Sequence, residues 1–228
     1  MKIVIADDHP LFRSAVAHAL REVTGGEAPV EASSLRTLED AVRAHPDIDL
    51  VLLDLHMPGA RGFSSLVFLR SERPEVPVVV ISSNEHPRTI RRAQQFGAAG
   101  FIPKSAPVDG MLDTVRTVMA GGIRFPALAA EKSEEDAQLA ARLAQLTPQQ
   151  VRVLMCLADG LLNKQIAYEL GLAENTVKVH VTAILRKLEC HSRTQAALLV
   201  KALEPDPPPE RDAQASDADG HEPGDERA

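Results

Sequence analysis

The hydrophobic pattern of the first 124 residues alternates between short apolar runs and longer stretches with helical spacing. Apolar runs with strand character occupy residues 2–6, 30–32, 50–54, 77–82 and 99–103. Each is followed by a predicted helix, at residues 11–23, 35–44, 63–71, 88–96 and 108–120. Five strand–helix units at this spacing predict an α/β fold with a five-stranded, doubly wound parallel sheet covered on both faces.

The pattern changes after residue 124, where strand signals stop. Residues 125–146 are rich in Ala, Glu, Gln and Leu, which predicts a partly helical linker. The segment Thr147-Pro148-Gln149-Gln150 has the form of a capping box and opens a helix that ends at Gly160. Three further helices are predicted at 163–170, 174–189 and 192–203. Together they predict a small all-α domain at 147–203.

The net charge of −7 is unevenly distributed along the chain. Residues 1–124 hold 14 basic and 15 acidic side chains, residues 147–203 hold 7 and 4, and residues 204–228 hold 2 and 9. The all-α domain is therefore net positive. The last 25 residues contain five prolines and no large apolar side chain, so they cannot bury enough surface to offset chain entropy. We predict a disordered acidic tail at 204–228.

Polar side chains interrupt the apolar pattern where the predicted strands end. Asp7 and Asp8 follow the first strand, Asp54 ends the third, Ser82 ends the fourth and Lys104 follows the fifth. Open α/β sheets bind ligands outside these ends, so the five side chains should converge. Crowded carboxylates repel unless a cation neutralises them, and Mg²⁺ takes oxygen ligands. The sequence therefore predicts a Mg²⁺-dependent phosphoryl-transfer site with Asp54 as the nucleophile.

These residues, together with the motifs Asp54-Leu55-His56-Met57-Pro58-Gly59 and Phe101-Ile102-Pro103-Lys104, resemble the receiver domain of bacterial two-component response regulators. The resemblance covers residues 1 to about 122 and implies a flavodoxin-like receiver at 1–124 with Asp54 as phosphoacceptor. It also implies that Asp7, Asp8, Asp54 and the backbone carbonyl of His56 hold Mg²⁺. Lys104 is expected to contact the phosphoryl oxygen.

Ser82 and Phe101 match the switch pair of receiver domains. The resemblance implies that phosphorylation turns the hydroxyl toward the phosphoryl group and moves the aromatic ring inward. Arg61 stands where many receivers have an acidic residue. We expect this departure to affect a loop only.

The predicted helix at 174–189 has two chemically different sides, and with the helix before Gly171 it has the form of a helix-turn-helix. Val177, Val181, Ile184, Leu185 and Leu188 share one side and should pack inside the domain. The other side collects Asn175, Lys178, Val179, Thr182 and Arg186. An exposed valine beside Lys and Thr suits a major groove, where apolar groups meet thymine methyls and Lys meets guanine acceptors. We expect Lys164, Lys187 and Arg193 to contact phosphates.

Four motifs in this region resemble the LuxR-type helix-turn-helix. They are Leu146-Thr147-Pro148, Asn163-Lys164-Gln165-Ile166-Ala167, Thr176-Val177-Lys178-Val179-His180-Val181 and Ser192-Arg193-Thr194-Gln195-Ala196. Thr176 thereby joins the expected DNA contacts. Ala173 stands where relatives often place a capping Ser or Thr, so this helix start should be weaker by about 1 kcal/mol.

A receiver joined to such a domain resembles the NarL/FixJ family of transcriptional regulators. The resemblance implies a transcriptional regulator and not an enzyme, apart from the receiver promoting its own phosphorylation and dephosphorylation. A histidine kinase is expected to phosphorylate Asp54 and thereby control dimerisation and sequence-specific binding to double-stranded DNA. RNA polymerase is a candidate partner. We expect the receiver to hinder the second domain until it is phosphorylated.

Two other function classes stay open. A Mg²⁺-dependent phosphatase of the aspartyl-nucleophile type would use the same carboxylates, but it should carry an acidic residue where His56 stands. A regulator whose receiver only mediates protein contacts would not need the acidic pair or Lys104.

The location of the protein is predicted from its apolar runs and its start. No run approaches the roughly 18 to 20 residues that cross a bilayer, and the start is unlike a signal peptide. We therefore expect a cytoplasmic protein without membrane contact. Cys156 and Cys190 are then expected to be reduced.

Overall fold

The computed structural model describes residues 1–127 and 133–205. The predicted tail from residue 206 onward, and residues 128–132 of the predicted linker, lie outside the described residues. The strands are β1 (Ile3–Ala6), β2 (Val30–Ala32), β3 (Leu50–Asp54), β4 (Val78–Ser82) and β5 (Gly100–Pro103). They form one parallel sheet in the order β2-β1-β3-β4-β5. This confirms the predicted doubly wound α/β fold.

Five helices alternate with the strands, at positions within one or two residues of those predicted. They are α1 (Pro10–Thr24), α2 (Leu35–Ala44), α3 (Ser64–Glu72), α4 (Pro87–Gln95) and α5 (Val108–Met119). After α5 the chain returns to the sheet edge. The backbone of Arg124 donates to Ala99 O at 3.0 Å and accepts from Phe101 N at 2.9 Å. Residue 124 thus extends the sheet beside β5.

The two faces of the sheet are covered by different helices because successive side chains of a strand point to opposite sides. Every residue of β1, β3 and β4 is buried, which explains why the sequence of these strands is almost continuously apolar. Ile3 and Ile5 pack with α1 and α5 in one core cluster. Val4 and Ala6 belong to a second cluster with α2, α3 and α4.

The remaining described helices form the predicted all-α domain and the helix that leads to it. They are α6 (Glu134–Leu143), α7 (Pro148–Ala158), α8 (Asn163–Leu170), α9 (Glu174–Lys187) and α10 (Arg193–Lys201). The capping box at the start of α7 is confirmed: Gln150 N donates to the Thr147 hydroxyl at 3.4 Å, and Thr147 N donates to Gln150 Oε1 at 3.1 Å. At the start of α9, Ala173 offers no side-chain cap, as expected.

The two domains are in contact, and the core on the α2–α4 side of the sheet continues into α7 and α10. At this boundary the Arg152 guanidinium lies 5.5 Å from the centre of the Phe68 ring and 3.0 Å from Glu72 Oε2. Arg61 donates to Asp159 of the all-α domain at 2.8 Å. The expectation that Arg61 affects a loop only is therefore wrong, because its side chain spans the boundary between the domains.

Candidate functional site

The structure brings the predicted strand-end side chains together at one edge of the sheet. β1 and β3 are neighbours although β2 lies between them in the chain, so the residues after β1 face the end of β3. One ligand atom from each of Asp7, Asp8, His9 and Asp54 lies within 4.8 Å of the others. Lys104 reaches in from the end of β5, with its Nζ 2.8 Å from both Asp54 Oδ2 and Asp7 Oδ2.

Burial shapes the electrostatics of this cluster, since Asp7 and Asp54 are each 1% exposed. Burial raises the pKa of Asp54, an effect that the hydrogen bonds from Lys104 and from the backbone of His56 partly offset. For Lys104, burial alone would lower the pKa, but its hydrogen bond to Asp54 and the nearby negative charges of Asp54 and Asp7 outweigh burial and raise that pKa. The ammonium group is therefore held in its charged form beside the phosphoacceptor candidate.

Backbone amides orient the carboxylates. The amide of His9 donates to Asp7 Oδ1 at 2.7 Å, and the amide of His56 donates to Asp54 Oδ1 at 3.1 Å. Each bond holds one oxygen, which leaves the Oδ2 atoms toward Lys104.

The donor set fits a hard divalent cation. Asp7 Oδ2 and Asp8 Oδ1 are buried and make no hydrogen bond within the described part of the chain. Lys104 Nζ lies 2.8 Å from Asp7 Oδ2, and His9 Nδ1 lies 2.7 Å from Asp8 Oδ1. Neither contact has hydrogen-bond geometry. Buried carboxylate oxygens in this condition are costly, and a divalent ion with oxygen ligands relieves that cost. We did not predict His9 in this cluster, although its position directly after Asp8 could have indicated it.

The two residues of the predicted switch pair are both inside the protein. Ser82 is fully buried and its hydroxyl accepts from the Asn84 amide at 3.1 Å. Phe101 is 2% exposed, so its ring is buried in the protein. The movement of this pair on phosphorylation stays a prediction.

The outward side of α9 carries the predicted base-reading residues. Asn175, Thr176, Lys178, Val179, Thr182 and Arg186 are all exposed, and Val179 keeps 68% of its surface. Val177 and Ile184 of the opposite side are fully buried. Lys178 Nζ lies 3.1 Å from Glu174, in a pair whose two side chains are both about half exposed. Such surface pairs contribute little, so Lys178 remains available to a ligand.

Two of the expected phosphate contacts have internal partners in the structure. Lys187 donates to Gln145 O at 2.8 Å and to Gln150 Oε1 at 2.7 Å, which ties the end of α9 to the start of α7. Arg193 donates to Leu161 O at 2.6 Å and holds the loop before α8. Both stay predicted phosphate contacts, with further N–H groups left for a phosphate beside these internal hydrogen bonds. Lys164 is exposed and stays a predicted phosphate contact.

The receiver does not cover the outward side of α9 in this arrangement. The receiver meets α7 and the end of α10, whereas the predicted base-reading residues remain exposed. The expected hindrance of the second domain would therefore have to act through other parts of that domain. It stays a prediction.

Cys156 and Cys190 are free thiols, as expected for reduced residues. Both are half-buried, and burial raises the pKa of the Cys156 thiol to about 11 and also raises that of Cys190. Neither thiol is therefore activated as a thiolate at neutral pH. Of the helices that the structure describes, none has both the length and the apolar composition needed to cross a bilayer.

Comparison with known families agrees with both halves of this architecture. Residues 3–116 match the response regulator receiver domain, and residues 144–200 match the bacterial regulatory proteins of the luxR family. A receiver joined to a LuxR-type helix-turn-helix defines a transcriptional response regulator. The chain belongs to the NarL/FixJ family of these regulators.

Individual relatives cover nearly the whole protein. The chain is 42% identical to the glycerol metabolism activator of Pseudomonas putida, over 86% of this chain and 93% of the relative. It is 34% identical to the nitrate/nitrite response regulator NarL of Escherichia coli, over 87% and 94%. Among solved structures, the RcsB response regulator of Salmonella typhimurium matches 87% of this chain and 98% of its own, with 19% identity and a TM-score of 0.50. That similarity supports the fold.

Proposed function

We propose that Asp54 accepts a phosphoryl group from a cognate histidine kinase or a small phosphodonor, and that this modification controls dimerisation and sequence-specific binding to double-stranded DNA. The observation that carries the proposal is the contact of Lys104 with both Asp54 and Asp7, inside a cluster of buried carboxylates. A charged amine beside an oriented carboxylate is the arrangement that stabilises a phosphoryl group during transfer.

The chemistry follows from the charges at the site. An ionised oxygen of Asp54 forms a bond to phosphorus, the bond from phosphorus to the donor breaks, and the donor leaves with the electron pair. Lys104 neutralises the charge on the phosphoryl oxygens. Asp7, Asp8, Asp54 and the backbone carbonyl of His56 would hold Mg²⁺, which supplies further charge neutralisation when bound. Attack by water on phosphorus breaks the bond to Asp54, releases inorganic phosphate and restores the carboxylate. The receiver thereby promotes both its own phosphorylation and its own dephosphorylation.

The output is DNA binding through α9. Lys178 and Val179 would meet base edges, and Lys164, Lys187 and Arg193 would meet phosphates. One domain with a small positive charge binds DNA weakly, so two copies on adjacent half-sites supply the affinity. Structures of RcsB dimers bound to DNA are known for that protein, and we extend the same arrangement to this chain.

The domain division that we propose is a receiver at 1–124, a partly helical linker at 125–146 and a DNA-binding domain at 147–203. Bacterial DNA lies in the cytoplasm, where we place the protein, and RNA polymerase is a candidate partner at its promoters.

The test is selection of binding sites from random DNA by the purified full-length protein, with Mg²⁺ and beryllofluoride or with EDTA. Beryllofluoride with Mg²⁺ mimics the phosphoryl group on the aspartate. We expect enrichment of a two-fold repeated sequence, stronger with beryllofluoride and Mg²⁺. The same mixture with Asp54→Asn should show no gain over EDTA. Enrichment that is identical in all conditions would contradict control by Asp54.

A further inference from the structure

The end of α10 leaves three carbonyl groups that need hydrogen-bond partners. The amides of Ala202, Leu203 and Glu204 donate to the carbonyls of residues 198, 200 and 201. Because the helix ends there, no amide of a following helical turn donates to the carbonyls of Ala202, Leu203 and Glu204 themselves. Leu203 is fully buried. A buried carbonyl without a donor is costly, so these groups must be satisfied from elsewhere.

The receiver supplies those donors. The amide of Phe63 donates to Leu203 O at 3.0 Å. The guanidinium of Arg92 donates to Glu204 O at 2.9 Å and also to Ala202 O. Three successive carbonyls at the end of a helix in one domain are thus bonded by two residues of the other domain. A positive charge at a helix C-terminus also opposes the negative end of the helix dipole.

Arg92 is held in place by the rest of its surroundings. It is 3% exposed, and its guanidinium lies 5.1 Å from the centre of the Phe63 ring and 5.5 Å from that of Phe96. Its Nε lies 3.2 Å from Asp136 on α6. A buried guanidinium requires several well-placed partners, and here they come from the receiver, the linker helix and α10.

Gly62 shows that the two backbones meet without room for a side chain. A Cβ at this position would lie 2.6 Å from Pro205 Cδ and 2.8 Å from Glu204 Cα, and it would overlap Leu203 O. Gly62 also has a φ of +52°, which L side chains rarely adopt. The close approach and the backbone conformation both require glycine at the residue before Phe63.

We propose that the receiver holds the DNA-binding domain in contact with itself by capping the C-terminus of α10. Arg92 and the Phe63 amide form the cap, and Gly62 allows the close approach of the two backbones. The segments that carry the cap follow β3 and β4, the strands that end in Asp54 and Ser82. Closure by this cap leaves the outward side of α9 exposed.

The experiment measures hydrogen exchange of the Phe63 amide, together with the radius of gyration in small-angle X-ray scattering. Full-length protein is compared with Arg92→Ala and Gly62→Ala, all without a phosphoryl mimic. We expect faster exchange at Phe63 and a larger radius of gyration in both variants. Exchange at the buried amides of β3 should not change, which separates opening of the domains from unfolding of the receiver.

Two matched controls are available. Arg116 is an exposed arginine on α5, so Arg116→Ala removes the same charge away from α10. Gly121 has a φ of +84° with nothing within 4 Å of a built Cβ, so Gly121→Ala introduces backbone strain without a contact to the other domain. Both controls should behave as the unmodified protein. The proposal is overturned if Arg92→Ala and Gly62→Ala keep the compact scattering and the slow Phe63 exchange, or if the controls open as much as they do.

Discussion

The proposed phosphoacceptor site and the outward side of α9 place their charges in opposite environments. Asp54 is 1% exposed and its charge is offset by Lys104 and the backbone amide of His56, whereas Lys178 and Arg186 on the outward side of α9 are exposed to solvent. Charges at the first site interact strongly with one another and with protein stability, because water screens them little. Charges at the second contribute to binding and hardly to folding. Substitutions in the two regions should therefore have different consequences.

The largest effect is expected for Asp54→Asn, which removes the nucleophilic oxygen. Incorporation of phosphate from labelled acetyl phosphate should fall to background, since an amide cannot form the acyl phosphate. The control is Asp113→Asn on the exposed surface of α5, which should incorporate phosphate normally. Persistent incorporation in Asp54→Asn would move the modification to another residue.

Two substitutions, Lys178→Ala on α9 and Lys164→Ala on α8, should separate base reading from phosphate contact. Loss of Lys178 should reduce affinity for the selected sequence by about 1–3 kcal/mol and relax the preference among sequences. Loss of Lys164 should weaken binding evenly across sequences and lower the slope of log affinity against log salt concentration by about 1. Binding isotherms on several DNA sequences at several salt concentrations measure both. Equal behaviour of the two variants would contradict the orientation of α9 proposed here.

The same Asp54→Asn variant should reveal the cost of the buried charge. Because the folded-state pKa of Asp54 is raised, ionised Asp54 destabilises the fold at neutral pH, and this cost disappears as the pH falls through that pKa and below the ordinary value of 3.8. Asp54→Asn should therefore be more stable than the unmodified protein at pH 7, by roughly 1 kcal/mol, with Lys104 keeping its contact to Asp7. Urea unfolding at pH 7 and near pH 4 tests this. A difference that grows toward low pH would have the wrong sign.

The smallest effect is expected for Glu174→Gln at the start of α9. The change frees Lys178 from its surface pair and removes a negative charge near the DNA. Affinity for DNA should rise by a few tenths of a kcal/mol at low salt, and the gain should vanish at high salt. Glu189→Gln, in an ion pair with Arg142 of α6, is the control. Equal gains in both variants would indicate only the change in net charge.

The predictions from sequence were most accurate where the pattern is local. Strands β2 and β3 and helices α2 and α8 have the predicted bounds, and the capping box at Thr147 forms as expected. The strand-end residues converge because parallel strands all end at one edge of the sheet, a rule that needs no knowledge of distant contacts. The roles of Lys187 and Arg193 stay predictions. Their hydrogen bonds to the carbonyls of Gln145 and Leu161 could not be predicted, because the sequence pattern does not distinguish a basic side chain in solvent from one that bonds an internal carbonyl.

The sequence alone determined the alternation of strands and helices, the positions of Asp7, Asp8, Asp54 and Lys104 at strand ends, and the two sides of α9. Each depends on periodicity or on residues that are close in the chain. Only the tertiary structure decided how the domains meet, because Arg92 finds its carbonyl partners 110 and 112 residues away and Arg61 finds Asp159 98 residues away. Contacts between distant segments follow no period along the chain, so their partners become identifiable only when the chain is folded.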